Sequence, residues 1–303
     1  MKQRNSPMSR FTAAISILTG LLIVMSLSFK SAASGQRGHD EGYSSEIPDT
    51  LAIDRIVVLE GLEQAHSLAA AGRDLMISIP DAGHIIRLFD HPDNDSLSME
   101  ILDMSDFLKP SALVARDEDE IFVICKISGA AFFSRYPYEE VADVRIPTWA
   151  TEGRTVHGTD LSVNEIGELF ILDERKRYLH HLNYNRDYLQ TIPLNQEIGA
   201  ETLTSAGETL IIADRSKGYL HIVTERGHPL ARIGTFPEMH RVRYLDNKLY
   251  VLSGSVIHIF NDEGSHLANF SMDSKEPLLD IATDGSRLFL LTPVSLYYWD
   301  HSF

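Results

Sequence analysis

Short apolar runs separated by polar turns recur along the chain from about residue 51 onward. Three stretches read GRDLMISIPDAGHIIRLF, GELFILDERKRYLHHL and GETLIIADRSKGYLHIV, each with an apolar run, a turn and a second apolar run. The runs are four to six residues long, rich in Ile, Val, Leu, Phe and Tyr, and closed by Gly, Asp, Asn or Pro. They do not sustain the 3.6-residue apolar stripe of a helix. The pattern predicts an all-β protein.

The spacing of these runs is typical of propeller blades. Within the repeats, equivalent apolar runs begin at Leu75, Ile121, Leu169, Leu210, Leu249 and Leu288, which are 39 to 48 residues apart. Propeller blades repeat with about this period, whereas solenoids of similar period are built from helices. The sequence therefore predicts six blades.

Each repeat divides into four strands, and the ends of the chain predict how the ring closes. In the fourth repeat the strands read AETLTSA, TLIIAD, YLHIVT and PLARIG. The sixth repeat shows three strands before residue 303, while a spare strand, RIVVLEG at residues 55–61, precedes the first repeat. An unfinished blade exposes unpaired backbone groups, so we expect this N-terminal strand to complete the sixth blade.

These repeats resemble the six-bladed propellers of the NHL and TolB-like kind over residues 51–303. The resemblance implies the architecture but leaves function open, because this fold carries binding modules, lactonases and lyases. The repeats lack the Gly-His and Trp-Asp signature of WD40 blades and the double glycines of kelch blades.

The first 33 residues predict export. A basic stretch, MKQRNSPMSR, precedes residues 11–29, which carry no charge over 19 positions, and KSAASG then offers small residues for cleavage. The apolar run is also about long enough to span a bilayer, so a cleaved signal peptide and a retained membrane anchor both remain open. Either way, we expect the following residues to be exported to the periplasm or another extracytoplasmic space. Residues 34–50, polar and rich in Gly and Ser, predict a flexible linker.

The net charge limits which partners the protein can bind, and the cysteine content excludes an internal disulfide. The chain has 43 Asp and Glu against 27 Lys and Arg, a formal net charge of −16. Such a charge repels phosphate backbones, so we expect no nucleic-acid partner. The single cysteine, Cys125, lies in the apolar run IFVICKIS and cannot form an internal disulfide. We expect Cys125 to be buried in the core. We also expect the protein to be a monomer.

The beginnings of the predicted inner strands carry the candidate chemistry. Counting nine residues back from each equivalent apolar run gives His66, Ala112, Asp160, Glu201, His240 and Leu279. The imidazoles and carboxylates of this set could hold a divalent metal, zinc or calcium, at the channel mouth. The other interpretation is that these polar residues line the channel and hydrogen-bond to water or to one another.

The resemblance implies two forms that such a metal site could take. Peptidyl-hydroxyglycine lyases hold zinc with channel histidines, which His66 and His240 match, with His157 as a candidate third ligand. Gluconolactonase-like enzymes place a Glu, an Asn and an Asp around a divalent ion, which Glu201 and Asp160 match in part. Neither set is complete. The histidine set lacks a third member at an equivalent position, and no Asn occupies an equivalent position for the second set.

Basic residues predict a face that binds a ligand. The turn DERKRYLHH contains Arg175 and Arg177, and the stretch RVRY after His240 places Arg241 or Arg243 near the predicted channel mouth. Guanidinium groups at these positions could bind a carboxylate or phosphate. The acidic turn RDEDE, residues 116–120, lacks the spaced ligands of a calcium loop, so we expect a charged surface turn there.

Two functions remain open at this point. The first is a binding module for a protein, peptide or glycan at the cell envelope, favoured by the export signal, the linker and the incomplete catalytic set. The alternative is a metal-dependent lyase or hydrolase of lactonase type at the channel mouth. The sequence contains no Gly-rich phosphate loop and no G-x-S-x-G elbow, so it gives no support to nucleotide-dependent or serine-hydrolase chemistry.

Overall fold

The computed structural model describes residues 51–52, 55–90, 97–104, 109–153, 155–173, 177–195, 198–273 and 276–299. The predicted signal or anchor and the linker, residues 1–50, lie outside this part of the chain. Among the described residues, none belongs to a helix with the length and hydropathy needed to cross a bilayer.

The described strands form six sheets, which we number as blades in chain order. Two strands precede blade 1: β1 (Leu51–Ala52) and β2 (Arg55–Glu60). Blade 1 contains β3 (Ser67–Ala71), β4 (Asp74–Ile79), β5 (His84–Asp90) and β6 (Leu97–Asp103). Blade 2 contains β7 (Pro110–Arg116), β8 (Glu120–Cys125), β9 (Ala131–Arg135) and β10 (Val141–Asp143). Blade 3 contains β11 (Gly158–Val163), β12 (Leu169–Asp173), β13 (Tyr178–Leu182) and β14 (Tyr188–Pro193).

The remaining strands build three further blades. Blade 4 contains β15 (Ala200–Ala206), β16 (Thr209–Asp214), β17 (Tyr219–Thr224) and β18 (Pro229–Ile233). Blade 5 contains β19 (Met239–Leu245), β20 (Lys248–Ser253), β21 (Val256–Asn261) and β22 (His266–Ser271). Blade 6 contains β23 (Asp280–Thr283), β24 (Leu288–Leu291) and β25 (Ser295–Trp299). One 3₁₀ turn, Thr148–Thr151, is the helical element of the described residues.

The architecture confirms the predicted all-β, six-bladed propeller. Within each blade, the strands that follow one another in sequence pair antiparallel. The first three strands predicted in the fourth repeat coincide with β15, β16 and β17 at both ends. The first strands of neighbouring blades contact one another all the way round, including β23 of blade 6 with β3 of blade 1. These first strands therefore surround the central channel.

The core consists of six apolar clusters, each packed between two neighbouring blades. The cluster that joins the last blade to the first contains Leu68 and Ile77 of blade 1 with Phe289 and Leu291 of blade 6. Cys125 is buried in the cluster between blades 1 and 2, as expected for a packing residue. Because each cluster spans a blade boundary, apolar burial holds the sheets together in a ring.

The N-terminal strand β2 lies at the edge of blade 6. It pairs antiparallel with β25, with Arg55 opposite Trp299 and Glu60 opposite Ser295. The preceding strand β1 pairs in parallel with β22 of blade 5. Blade 6 thus contains four strands, one of which comes from before blade 1 in the chain.

Candidate functional site

The pairing register defines which residues are equivalent around the channel. In each blade, one residue of the first strand lies opposite the fourth residue of the apolar run in the second strand. We call these six residues the channel ring: Ser67, Ala112, Asp160, Thr202, Arg241 and Asp280. The ring therefore includes one cation and two carboxylates, contributed by blades 3, 5 and 6.

This register differs from the count of nine residues made on the sequence. In blade 3 the first hairpin places Leu169 opposite Val163, six residues away, whereas in blade 4 Leu210 lies opposite Ser205, five residues away. Blades 1, 5 and 6 share the shorter hairpin. A shift of one residue moves a side chain to the other face of a strand. Of the four predicted metal ligands, Asp160 belongs to the ring, while His66, Glu201 and His240 each precede a ring residue.

A buried network of four charges consists of the three charged ring residues and Arg243, which follows Arg241 by two positions in β19. Arg243 donates from Nε to Oδ1 and from Nη2 to Oδ2 of Asp280, at 2.9 and 2.8 Å. Arg241 lies between the two carboxylates, with Nη1 2.9 Å from Asp160 Oδ1 and Nε 3.7 Å from Asp280 Oδ2. Both carboxylates are fully buried, and both arginines are less than 9% exposed. The charges of the four groups sum to zero.

The environment of Asp280 stabilises its ionised form. Burial alone would raise the pKa of this carboxyl, but Arg243 and Arg241 and several hydrogen bonds outweigh that effect and lower it. Besides the arginines, the donors are the Ser67 hydroxyl at 2.9 Å and the amides of Leu68 and Ile281, each at 3.0 Å. In the same way, burial opposes the charge of Arg241 while Asp160 and Asp280 raise its pKa above the usual value. Asp280 and Arg241 are therefore both charged at neutral pH.

Polar side chains of the first strands also bind one blade to the next. Asp160 Oδ2 of blade 3 accepts the amide of Leu203 in blade 4 at 2.9 Å. Farther along the channel, Ser162 of blade 3 accepts the amide of Ser205 in blade 4 at 2.8 Å. The Thr204 hydroxyl of blade 4 accepts the amide of Tyr244 in blade 5 at 3.0 Å. These contacts explain why polar residues recur on strands that face the channel.

A pocket of about 410 Å³ lies on the face where the first strands begin, which we call the upper face. Its lining, the upper-face pocket, consists of Glu201, Arg215, Ser216, Glu238, Met239 and His240. Arg215 connects the two sides of this pocket, because Nε donates to the Met239 carbonyl at 2.9 Å and Nη1 lies 3.4 Å from Glu201 Oε2. The structure thus places Glu201 and His240 in one pocket, with the guanidinium of Arg215 beside them.

The two predicted histidine ligands have lowered pKa values. Partial desolvation and the charge of Arg215 lower the pKa of His240, against an opposite effect of Glu238. His66 is exposed at the channel mouth, where surrounding protein and the charge of Arg241 lower its pKa. Both imidazoles are therefore largely neutral at pH 7. His157, the candidate third ligand, is half-buried, and its amide donates to Asp173 Oδ2 at 3.2 Å.

The predicted ligand-binding arginines occupy different environments. Arg241 is buried in the ion-pair network and so does not present an exposed guanidinium. Arg177 is exposed in the turn between β12 and β13, whereas Arg175 lies outside the described residues. In the acidic turn, Arg116 and Glu120 are buried and form an ion pair, and residues 117–119 are exposed. The prediction of a charged surface turn is therefore correct for residues 117–119 and wrong for Arg116 and Glu120, which are buried.

The donor set does not fit a metal ion held by the four predicted residues. Among the described residues, no three His, Cys, Asp or Glu side chains are close enough to hold a metal together. Asp160 is neutralised by Arg241, and Glu201 is paired with Arg215. A divalent cation at either carboxylate would have to overcome repulsion from the neighbouring guanidinium group.

Several residues of the network and of the pocket were not predicted from the sequence. Asp280 completes the network, and Arg215 and Glu238 complete the upper-face pocket. Asp280 would have entered the candidate set if the length of the first hairpin had been known for blade 6. Arg215 lies in the turn between the second and third strands, which counting along first strands does not sample.

Comparison with known proteins supports the fold. No family model matches the sequence, and no curated protein does. Among solved structures, a gluconolactonase from Xanthomonas campestris is 13% identical, with 81% of this chain and 89% of that chain covered and a TM-score of 0.65. Regucalcin from Agrobacterium tumefaciens, a calcium-binding protein, is 12% identical, with coverage of 85% and 98% and a TM-score of 0.60. YCF48 bound to a D1 peptide is 8% identical, with coverage of 84% and 97% and a TM-score of 0.57.

At these identities the likeness shows the fold alone. The neighbours include proteins named for an enzymatic activity, for calcium binding and for a complex with a peptide, so they do not by themselves favour the binding-module prediction. The chain is a six-bladed β-propeller structurally similar to gluconolactonase-type propellers.

Proposed function

We propose that this protein is an exported propeller, of the NHL or TolB-like kind, that binds a peptide in its upper-face pocket. Residues 1–33 act as the export signal or membrane anchor in this proposal, and residues 34–50 act as the linker. The observation that carries the proposal is the composition of the pocket, which combines an accessible guanidinium, two glutamates and an imidazole within about 410 Å³.

The charges of the pocket suit a peptide with a free carboxylate. The side chain of Arg215 is 41% exposed and can bind a carboxylate, while the exposed Glu238 offers a partner for an ammonium group. Arg215 is already oriented by its hydrogen bond to the Met239 carbonyl. A guanidinium held in place loses less conformational entropy on binding, which favours affinity.

The chemistry of the ring supports binding over metal-dependent catalysis. A catalytic metal needs ligands with an open coordination position, whereas the ring carboxylates are neutralised by buried arginines. The lactonase or lyase alternative rests on Glu201 and His240, which share the pocket but flank Arg215.

The test measures peptide binding by the full-length protein. A library of short peptides with free C-termini is screened, and the Kd of the best binder is determined by calorimetry. We expect Arg215→Ala and His240→Ala each to weaken binding about tenfold or more, the effect of losing about 1.4 kcal/mol. Arg226→Ala, in the exposed turn between β17 and β18 at the opposite end of the same blade, is the matched control and should leave Kd unchanged.

Three outcomes would contradict the proposal. One is an absence of binding to any peptide, and the second is binding that the pocket variants do not affect. The third is a bound stoichiometric metal by elemental analysis together with hydrolysis of a lactone that Glu201→Gln abolishes, which would establish the enzyme instead. Binding to a glycan array with no peptide binding would preserve a binding role but would refute the peptide.

A further inference from the structure

A second cavity lies in the channel, beyond the channel ring as seen from the upper face. It has a volume of about 200 Å³, and the first strands of all six blades line it. Every lining residue follows the ring residue of its strand, as Ser162 follows Asp160 and Arg243 follows Arg241. We call this cavity the lower channel pocket.

Small side chains keep the lower channel pocket open. The residues two positions after the ring residues form the next layer of the channel and all line the pocket: Ala69, Val114, Ser162, Thr204, Arg243 and Ala282. Four of these six are Ala, Ser or Thr, which leave space along the axis. Because protein interiors contain few voids larger than a water molecule, a cavity of this size favours a bound ligand.

Arg243 presents a hydrogen-bond donor to this pocket. Its Nε and Nη2 donate to Asp280, and Nη1 has no hydrogen-bond partner among the described residues. A guanidinium group that is bound through Nε and one terminal nitrogen directs its other terminal nitrogen to the opposite side. Arg243 is 8% exposed, so Nη1 has lost most of its hydration and is stabilised by an acceptor that the described chain does not provide.

A pair of serine hydroxyls adds a second donor. Ser162 Oγ and Ser205 Oγ are 2.9 Å apart, and Ser162 Oγ also accepts the amide of Ser205 at 2.8 Å. One hydroxyl donates to the other, so one O–H of the pair has no acceptor in the described structure. None of the described residues that line the pocket is an Asp or a Glu. The pocket is therefore suited to a ligand that accepts hydrogen bonds.

The charge balance of the channel favours an uncharged ligand. The charges of Arg241, Arg243, Asp160 and Asp280 already sum to zero. A carboxylate in the pocket would add an uncompensated buried charge close to Asp280, and an ammonium group would be repelled by Arg243.

The volume and walls of the pocket limit the ligand to about one ring. An apolar cavity of about 150 Å³ holds a benzene molecule, so about 200 Å³ accommodates a six-membered ring with a polar substituent. Apolar side chains such as Leu113, Val114 and Leu245 provide the contact surface for such a ring.

We infer that the lower channel pocket binds a small uncharged cyclic molecule with a carbonyl oxygen, of the cyclic ketone or amide class. The carbonyl oxygen accepts from Arg243 Nη1, and the ring packs against the apolar walls. This inference does not depend on the peptide-binding proposal, because no residue lines both pockets.

The experiment titrates the full-length protein with three six-membered-ring probes that differ in charge: cyclohexanone, cyclohexanecarboxylate and cyclohexylammonium. Binding is measured by ligand-observed NMR. We expect a Kd of about 1 mM for cyclohexanone, which is reasonable for a ligand of this size. The two charged probes should bind at least tenfold more weakly.

Two variants of the pocket are compared with matched controls. Val163 is a partly exposed wall residue, so Val163→Phe should fill the pocket and weaken cyclohexanone binding at least tenfold. Val294→Phe, the same exchange in the exposed turn between β24 and β25, should not affect it. Arg243→Lys keeps the charge beside Asp280 but lacks the guanidinium fork, and should also weaken binding tenfold. Arg215→Ala, in the upper-face pocket, should leave binding unchanged.

The inference is overturned if the wild type does not bind cyclohexanone, a result that needs no variant to fold. It is also overturned if Val163→Phe binds as well as Val294→Phe, or if the carboxylate binds more tightly than the ketone. Loss of binding in Arg215→Ala would place the probe in the upper-face pocket and would refute the lower site.

Discussion

At the residue scale, the same side-chain types have different roles depending on what surrounds them. Asp160 and Glu201 were predicted as equivalent ligands, yet one is fully buried against Arg241 and the other lies beside the half-exposed Arg215. A buried ion pair is not by itself strong evidence for stability, because desolvation offsets much of the attraction. Losing one partner is costly, however, because it leaves an uncompensated charge in the core.

The histidines give a prediction for the pH dependence of stability. Four imidazoles have lowered pKa values, mainly because the surrounding protein partly desolvates them: His66, His221, His240 and His258. Since the unfolded chain then binds more protons than the folded one, their contribution is complete above a pH of about 6.5 and is lost as the pH falls below it. The pKa of Asp280 is also lowered, so the unfolded chain again binds more protons than the folded one. Asp280 therefore adds a further loss of stability near and below pH 4.

We therefore expect Tm to fall as the pH is lowered from 7 to 5, as measured by calorimetry across that range. His258 lies beside His266, and its Nδ1 is 2.8 Å from the Asn269 amide oxygen. His258→Gln removes one of the four contributions while keeping a hydrogen-bond donor, so its Tm should depend less steeply on pH. A wild-type Tm that rises on acidification would contradict the assignment.

At the element scale, hairpin length controls which residues face the channel. The first hairpins of blades 2 and 3 contain one residue more than those of the other blades. The apolar runs are insensitive to this difference, because strands in a packed blade are buried on both faces. The polar residues at the strand beginnings are sensitive to it, and this is why three of the four predicted ligands lie one position away from the ring.

The turn between β16 and β17 provides a prediction about backbone conformation. Gly218 has a φ of +71°, and an added Cβ would lie 2.7 Å from the Phe236 carbonyl oxygen. Gly285, in the turn between β23 and β24, has a φ of +85° with no atom within 4 Å of that position. We expect Gly218→Ala to lower the free energy of unfolding by about 3 kcal/mol and Gly285→Ala by about 1 kcal/mol, because only the first adds a steric overlap to the cost of positive φ.

Urea denaturation of the two glycine variants measures this difference directly. Equal losses would mean that Phe236 moves aside at little cost, and the argument from close approach would be wrong. The two variants form a matched pair, because both glycines have positive φ and occupy hairpin turns of the same propeller.

At the scale of the whole molecule, stability depends on a ring in which every blade packs against two others. The cluster between blades 6 and 1 also contacts Val58 and Leu59 of β2. Strand β2 therefore contributes backbone pairing to blade 6 and apolar contacts at the boundary where the last blade meets the first.

This arrangement predicts the effect of removing β2. A protein starting at residue 61 should lose cooperative unfolding, or show a Tm lower by about 10 °C or more, because the edge of β25 and part of that cluster become exposed. A protein starting at residue 51 retains β1 and β2 and is the control. Equal Tm values for the two proteins would show that the ring does not need the N-terminal strand.

Much of the fold could be predicted because it depends on local pattern. Short apolar runs, turn residues and a repeat of about 43 residues are properties of neighbouring positions, so the number of blades follows from the chain itself. The first three strands of blade 4 were predicted to the residue for this reason.

The candidate site depended on tertiary structure, because it joins residues that are far apart in the chain. Asp160 meets Arg241 across 81 positions, and no spacing rule connects them. The sequence by itself determined the six blades and the polar nature of the channel. Two results were decided only by the packing of the blades around the axis, together with hairpin lengths that shift the register by one residue. The channel ring holds an arginine between two carboxylates, and the accessible charges lie in a separate pocket on the upper face.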